Sequence, residues 1–161
     1  MKSYTKKDKV LNKFDIIAII LLIILSIGVT PKKLQNDTFY SIAVGESIVK
    51  NGVDLKEHFS WIDGLNYTYP HWLFDLGISA IYKVANFNGI YIITIVFASI
   101  LAMTIYLVNS KINKNKLISF LGTIVTIVLL RNFLTPRAQL VSFILFFLEI
   151  FCIEKFIEKR K

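Results

Sequence analysis

Six side chains in this sequence have the type and position to do chemistry outside the apolar runs: Asp37, Glu57, His58, His71, Arg131 and Arg137. Asp37 stands in Asn36-Asp37-Thr38-Phe39-Tyr40, shortly after the first apolar run. A carboxylate there can accept the proton of an attacking hydroxyl, and partial desolvation at a lipid boundary would raise its basicity. Aspartate also caps helices, and that reading stands beside the first. Arg137, in Thr135-Pro136-Arg137-Ala138-Gln139-Leu140, and Arg131, six residues before it, flank the turn between the last two apolar runs. An arginine at a membrane rim suits a phosphate, because its planar guanidinium engages two oxygens while its stem stays in apolar surroundings. Arginines also anchor helix ends among headgroups without binding a substrate. Glu57 and His58 could hold a sugar or an acceptor hydroxyl, although solvated polarity is the default for a loop. His71 closes the aromatic run Tyr67-Thr68-Tyr69-Pro70. With one cysteine, Cys152, and no Cys/His cluster, neither an internal disulfide nor a metal site is expected, and no second acid adjoins Asp37.

Composition says which elements must hold these residues. Of 161 residues, 55% are hydrophobic and 14% aromatic, and the mean hydropathy is +0.59. An ordinary water-soluble domain of this size does not need that much apolar surface. The apolar residues come in uncharged runs with charge between them, which predicts an all-α, polytopic transmembrane protein forming a single integral membrane domain. Four spans are expected, over 14–30, 90–108, 117–130 and 138–153. The first has 17 residues and is closed by Pro31, about 25 Å at the helical rise per residue. A signal peptide competes with it, opposed by the lack of a small-x-small cleavage site. The third span is short and must borrow length from flanking side chains that snorkel. Glu149, inside the fourth run, is read as snorkelling to water beside Glu154 and Lys155.

The net charge of +8 is unevenly placed. Lys2, Lys6, Lys7, Lys9 and Lys13 precede the first run, Lys111, Lys114 and Lys116 fill a short connection, and Lys155, Lys159, Arg160 and Lys161 end the chain. Together they hold 12 of the 19 lysines and arginines. That distribution matches cytoplasmic loops and not a groove tracking nucleic-acid phosphates, so no nucleic-acid partner is expected. The chain is read as a multi-pass cell-membrane protein with both termini, 1–13 and 154–161, cytoplasmic. Residues 31–89 and the turn 131–137 then face outward.

The outward segment 31–89 concentrates both histidines, both tryptophans, four of the seven tyrosines and six of the eleven acids. Asn36, Asp37 or Thr38 is expected to cap a helix that Asn51-Gly52 ends, with Asp37 in its first turn. Residues 53–69 read as loop with an Asp63-Gly64 turn, and Pro70 as the first residue of a second helix. That helix, over 71–85, is read as lying along the membrane, because a fifth crossing would carry the lysine-rich connection and the tail outside.

The order of these features resembles the N-terminal part of GT-C-type membrane glycosyltransferases, the group that includes protein mannosyltransferases and the aminoarabinose transferases of lipid A. The resemblance runs over about residues 14–150. It is carried by the acid in Asn36-Asp37-Thr38-Phe39-Tyr40, the helix ending Gly45-Glu46-Ser47-Ile48-Val49-Lys50-Asn51-Gly52, His58-Phe59-Ser60, Tyr67-Thr68-Tyr69-Pro70-His71-Trp72-Leu73, and Asn88-Gly89. Glu57-His58-Phe59-Ser60 is similar to an Asp-Pro-Phe-Ser pattern of bacterial relatives but departs at its first two residues. Thr135-Pro136-Arg137-Ala138-Gln139-Leu140 is similar to an Arg-Pro-Gln-Leu pattern with the proline displaced.

The resemblance implies transfer of a sugar from a polyprenyl-phosphate carrier at the outer face, with Asp37 as catalytic base and Arg137, assisted by Arg131, on the carrier phosphate. Glu57, His58 and His71 would bind substrate. It implies no cofactor, the lipid-linked sugar being a substrate, and membrane lipid and the polyprenyl-phosphate sugar as partners. Such enzymes have further spans, so the chain is read as an N-terminal module, truncated or completed by a second membrane subunit. The alternative is a non-catalytic integral membrane protein that binds a partner subunit through its outward loop. A transporter is disfavoured, since no span carries paired ionisable residues near its middle.

Overall fold

Asn12 opens the first helix: its side chain accepts from the Phe14 N–H and its own N–H donates to Asp15 at 2.9 Å. The run that follows forms α1 (Lys13–Val29), stopped before Pro31 at Thr30, whose N–H and hydroxyl both close on the Ser26 carbonyl. The computed structural model describes residues 12–113 and 115–160, so most of the expected basic tail, with Lys114 and Lys161, lies outside the described residues. Among them the chain is all-helical, without a strand. After α1 come α2 (Asn36–Asn51), α3 (Trp72–Asn113), α4 (Lys116–Leu129), a 3-10 turn over Leu130–Phe133, and α5 (Ala138–Arg160).

Several expectations hold in detail. Helix α2 begins at Asn36, places Asp37 in its first turn and stops at Gly52, whose φ of +77° suits a residue without a Cβ. None of Asn36, Asp37 and Thr38 is the cap: all three lie inside the helix and Gln35 holds that position, with no side-chain bond. Pro70 lies two residues before α3 and not at its first position. The helix expected over 71–85 exists, but it runs directly into the next one. Asn86, with a φ of 51° and a ψ of -148°, breaks α3 into a short limb and a long limb. Helix α5 continues to Arg160, so the expected tail is helical as far as the description goes.

Helix α3 is the centre of the fold and packs against all four other helices. Its long limb supplies Ala98, Leu101, Ala102, Ile105 and Tyr106 to a core with Ala18 and Leu22 of α1, Ile127 of α4 and Leu140 and Ile144 of α5. Alanines on the central face let neighbouring backbones approach closely, which matters where lipid removes the hydrophobic drive for helix association. The hydroxyls of Ser26, Thr94, Thr104, Ser119, Thr123 and Thr126 each donate to the carbonyl four residues back, so these polar groups need no solvent.

The outer faces are strongly apolar: Ile17, Ile20 and Ile24 of α1, Ile92 of α3, Leu121 and Val125 of α4 and Leu145 and Phe146 of α5 are all exposed. Two helical stretches among the described residues, Trp72–Asn113 and Lys116–Phe133, are long and apolar enough to cross a membrane.

The short limb of α3 turns back on α2. Ile42, Ile78 and Ile90 form one small core there, and Val44, Ile48 and Tyr69 another. The approach is close: a Cβ on Gly45 would stand 2.3 Å from the Asp75 carbonyl oxygen. Gly45 therefore sets the spacing at which α2 holds Asp37.

Candidate functional site

Three helix starts meet at one end of the molecule. The first turn of α2 brings Asp37 and Tyr40, the start of α3 brings His71, and the residue before α5 is Arg137. They line a cleft of about 540 Å³, completed by Ser41, Tyr67, Pro70 and Gln139. Arg137 Nη2 meets Asp37 Oδ2 at 2.6 Å, a charge-assisted bond across the cleft. The carboxylate side chain is 60% exposed, more open to solvent than the desolvated acid anticipated from the sequence. Arg137 is half-buried, and its Nε is enclosed without a hydrogen-bond partner among the described residues.

His71 is oriented from beneath. Its Nδ1 lies 2.9 and 3.1 Å from the two carboxylate oxygens of Asp75, one helical turn on and wholly buried. This fixes the ring and leaves Nε2 for a ligand. Tyr40 and Tyr67 stack edge to face, 6.4 Å between centroids, and Tyr67 stacks on Tyr69 at 4.7 Å. Partial burial first, then Tyr67 and the carboxylates of Glu57 and Asp75, push the Tyr40 phenol above its ordinary value. It stays a neutral donor. Carboxylate, guanidinium, imidazole and phenol on one aromatic-walled cleft can bind an anion, orient a hydroxyl and accept its proton.

The six residues singled out in the sequence divide here. Asp37, Arg137 and His71 share the cleft. Glu57 and His58 do not line it: Glu57 accepts from the Phe59 N–H at 2.7 Å, and His58 Nε2 pairs with Asp54 at 2.9 Å. His58 and Phe59 border a neighbouring depression with Glu46 and Lys50. Arg131 is exposed on the 3-10 turn, away from the cleft lining.

The loop is pinned by Tyr69, whose hydroxyl reaches the Lys56 carbonyl at 3.3 Å, and by an isolated bridge between Lys56 and Asn66. Desolvation opposes ionisation of Asp54. The Lys56 N–H and His58 outweigh it and hold that carboxyl below its usual range.

The opposite end holds a cluster that sequence reasoning missed. Asp15, 5% exposed, accepts from the Tyr106 hydroxyl at 2.7 Å and pairs with Lys116. Lys111 pairs with Glu158 at the same end, at 3.1 Å. A charged residue just inside an apolar run was the available signal for Asp15; its partners lie 91 and 101 positions away.

The chain matches no protein-family model, no curated protein and no solved structure.

Proposed function

We propose that this protein is the N-terminal module of a membrane glycosyltransferase, moving a sugar from a lipid-phosphate carrier to a hydroxyl at the outer face of the cell membrane. In this reading α1, the long limb of α3, α4 and α5 cross the bilayer, both termini are cytoplasmic, and α2 with the short limb lies over the outer leaflet. The observation that carries it is the 2.6 Å pair of Arg137 and Asp37 on a cleft that His71 also lines. Two features picked for different roles, a base and a phosphate ligand, are within reach of one substrate.

The roles follow from the chemistry. Across the cleft Arg137 and Asp37 neutralise each other. A carrier phosphate competes for the guanidinium, which binds its oxygens as a fork, and the Asp37 carboxylate is released. The acceptor hydroxyl then attacks the anomeric carbon and gives its proton to Asp37. The bond from that carbon to the phosphate oxygen breaks, and the phosphate leaves with the electron pair, held by Arg137. Tyr40 and His71 donate to sugar or phosphate oxygens.

The test is transfer from a lipid-linked sugar by the reconstituted chain, alone and with membrane extract of its host. Asp37→Asn is expected to lower the rate about a hundredfold or more, the usual contribution of a positioned base. Equal transfer by parent and variant, or none by either, removes the catalytic role.

A second reading, a non-catalytic subunit docking through the outward loop, is favoured by Trp61, 96% exposed at the loop tip beside Ile62. It predicts that Trp61→Ala abolishes association with a partner while Asp37→Asn does not.

A further inference from the structure

A plain anion is a poor match for the cleft. Arg137 Nη2 is already held by Asp37 at 2.6 Å, so an anion on Arg137 must first displace a like charge and then lie beside it. A ligand with an anionic and a cationic end avoids both penalties. Its anion takes the guanidinium, its cation takes the carboxylate, and the opposite charges of the cleft stay compensated.

Aromatic rings stand beside the acid. Tyr40 follows Asp37 by three positions, on the same side of α2, and both line the cleft. The residue is 41% exposed, and its ring is braced by Phe59 and Tyr67, with centroids at 5.5 and 6.4 Å. A tyrosine ring next to a carboxylate attracts an ammonium through its quadrupole as well as through the neighbouring charge. Donors for the anion are Arg137, whose Nε has no partner among the described residues, and the Nε2 of His71, which the bonds to Asp75 leave open.

We infer that the cleft binds a phosphodiester bearing a primary ammonium, the chemistry of a phosphoethanolamine headgroup, with its phosphate on Arg137 and His71 and its ammonium between Asp37 and Tyr40. A diester is selected because its single negative charge is balanced by the ammonium, so that ligand and Asp37–Arg137 pair each sum to zero. A primary ammonium is selected over a quaternary one because the Asp37 carboxylate accepts from its N–H groups. The inference uses the cleft of the transfer reading but needs no sugar. Such a ligand competes with a carrier phosphate for Arg137 and so regulates access to the cleft.

The test is calorimetric titration of the full chain in an uncharged maltoside detergent. Two soluble probes isolate the ammonium: glycerophosphoethanolamine, and glycerophosphoglycerol, which has the same phosphodiester without it. The parent is expected to bind the first about tenfold or more tighter than the second. Asp37→Asn is expected to weaken glycerophosphoethanolamine and to strengthen glycerophosphoglycerol, because the rival charge on Arg137 is gone. The solvent-exposed pair adds little stability, so this variant should melt with the parent. Tyr40→Leu is expected to weaken the ammonium compound alone, about two- to fivefold, and Arg137→Gln to weaken both.

Equal binding of the two soluble probes by the parent, or an unchanged ratio between them in Asp37→Asn, overturns the inference. A third probe, phosphatidylethanolamine added to the micelles, separates the two sources of this chemistry. Displacement of glycerophosphoethanolamine by it assigns the site to a lipid headgroup, and failure to displace assigns it to a soluble compound. Preference for the ammonium probe without sugar transfer would leave the inference standing and end the transfer reading; transfer without the preference would do the reverse.

Discussion

Asp37 and Arg137 form an ion pair with side chains 60% and 37% exposed, and solvent screening leaves such a pair contributing about 0–1 kcal/mol to stability. Arg137→Gln should therefore keep its helical circular dichroism and melt within a few degrees of the parent, while losing affinity for a phosphate-headed ligand. The Asp15 pair behaves differently. Asp15 is 5% exposed, and its carboxylate is held by Tyr106, Lys116 and the Asn12 N–H. Lys116→Met leaves the Asp15 carboxylate with Tyr106 and the Asn12 N–H but without its counter-charge, a loss of about 1–3 kcal/mol because Lys116 itself is partly exposed. The double variant Asp15→Asn, Lys116→Met should recover much of it. Thermal melts of the three variants in detergent check this, and equal melting of Lys116→Met and the parent would contradict it.

Helix α2 is positioned by contact and not by covalent constraint, so its spacing from the short limb of α3 decides whether Asp37 reaches Arg137. Gly45 stands with its Cα hydrogens against the Asp75 carbonyl and the Ser79 Cβ, at 2.3 and 2.6 Å from an added methyl. A backbone carbonyl cannot swing aside, so Gly45→Ala is expected to part the two helices and cost about 1–3 kcal/mol. Hydrogen exchange over 36–51 should rise in that variant while α4 is unchanged.

Helix α2 was also the most legible element. Asn36, Asp37 and Thr38 at its start and Asn51-Gly52 at its end are local signals, each acting within one turn. Asp37 and Arg137 were legible as types, because each adjoins an apolar run. Their meeting was not, since 100 residues separate them and only tertiary packing brings them together. The break at Asn86 was hidden for a related reason. Nothing short-range distinguishes an asparagine at positive φ from one inside a helix, and the fold-back rests on Ile78 packing with Ile90 across it. Asp75, the partner of His71, lay within the helix period at i and i+4, and that spacing was the signal available for it.

At the scale of the whole molecule, charge and chemistry separate to opposite ends. The start of α1, the end of α3, the start of α4 and the end of α5 gather Lys13, Lys111, Lys116, Lys155 and Arg160 at one end, tied by the Asp15 and Glu158 pairs. The cleft with Asp37, His71 and Arg137 lies at the other, past the apolar faces of the helices. On the proposed topology, retention of lysine and arginine on the cytoplasmic side would orient the molecule with its cleft outward. In a Cys152→Ser background, which removes the single native thiol, Ser60→Cys in the exposed loop should react with a membrane-impermeant maleimide on intact cells. Ser110→Cys, beside Lys111, should react only after the membrane is opened. Labelling of Ser110→Cys from outside would put the lysine-rich end outward, and with it the cleft on the side where a carrier on the outer leaflet cannot reach Arg137.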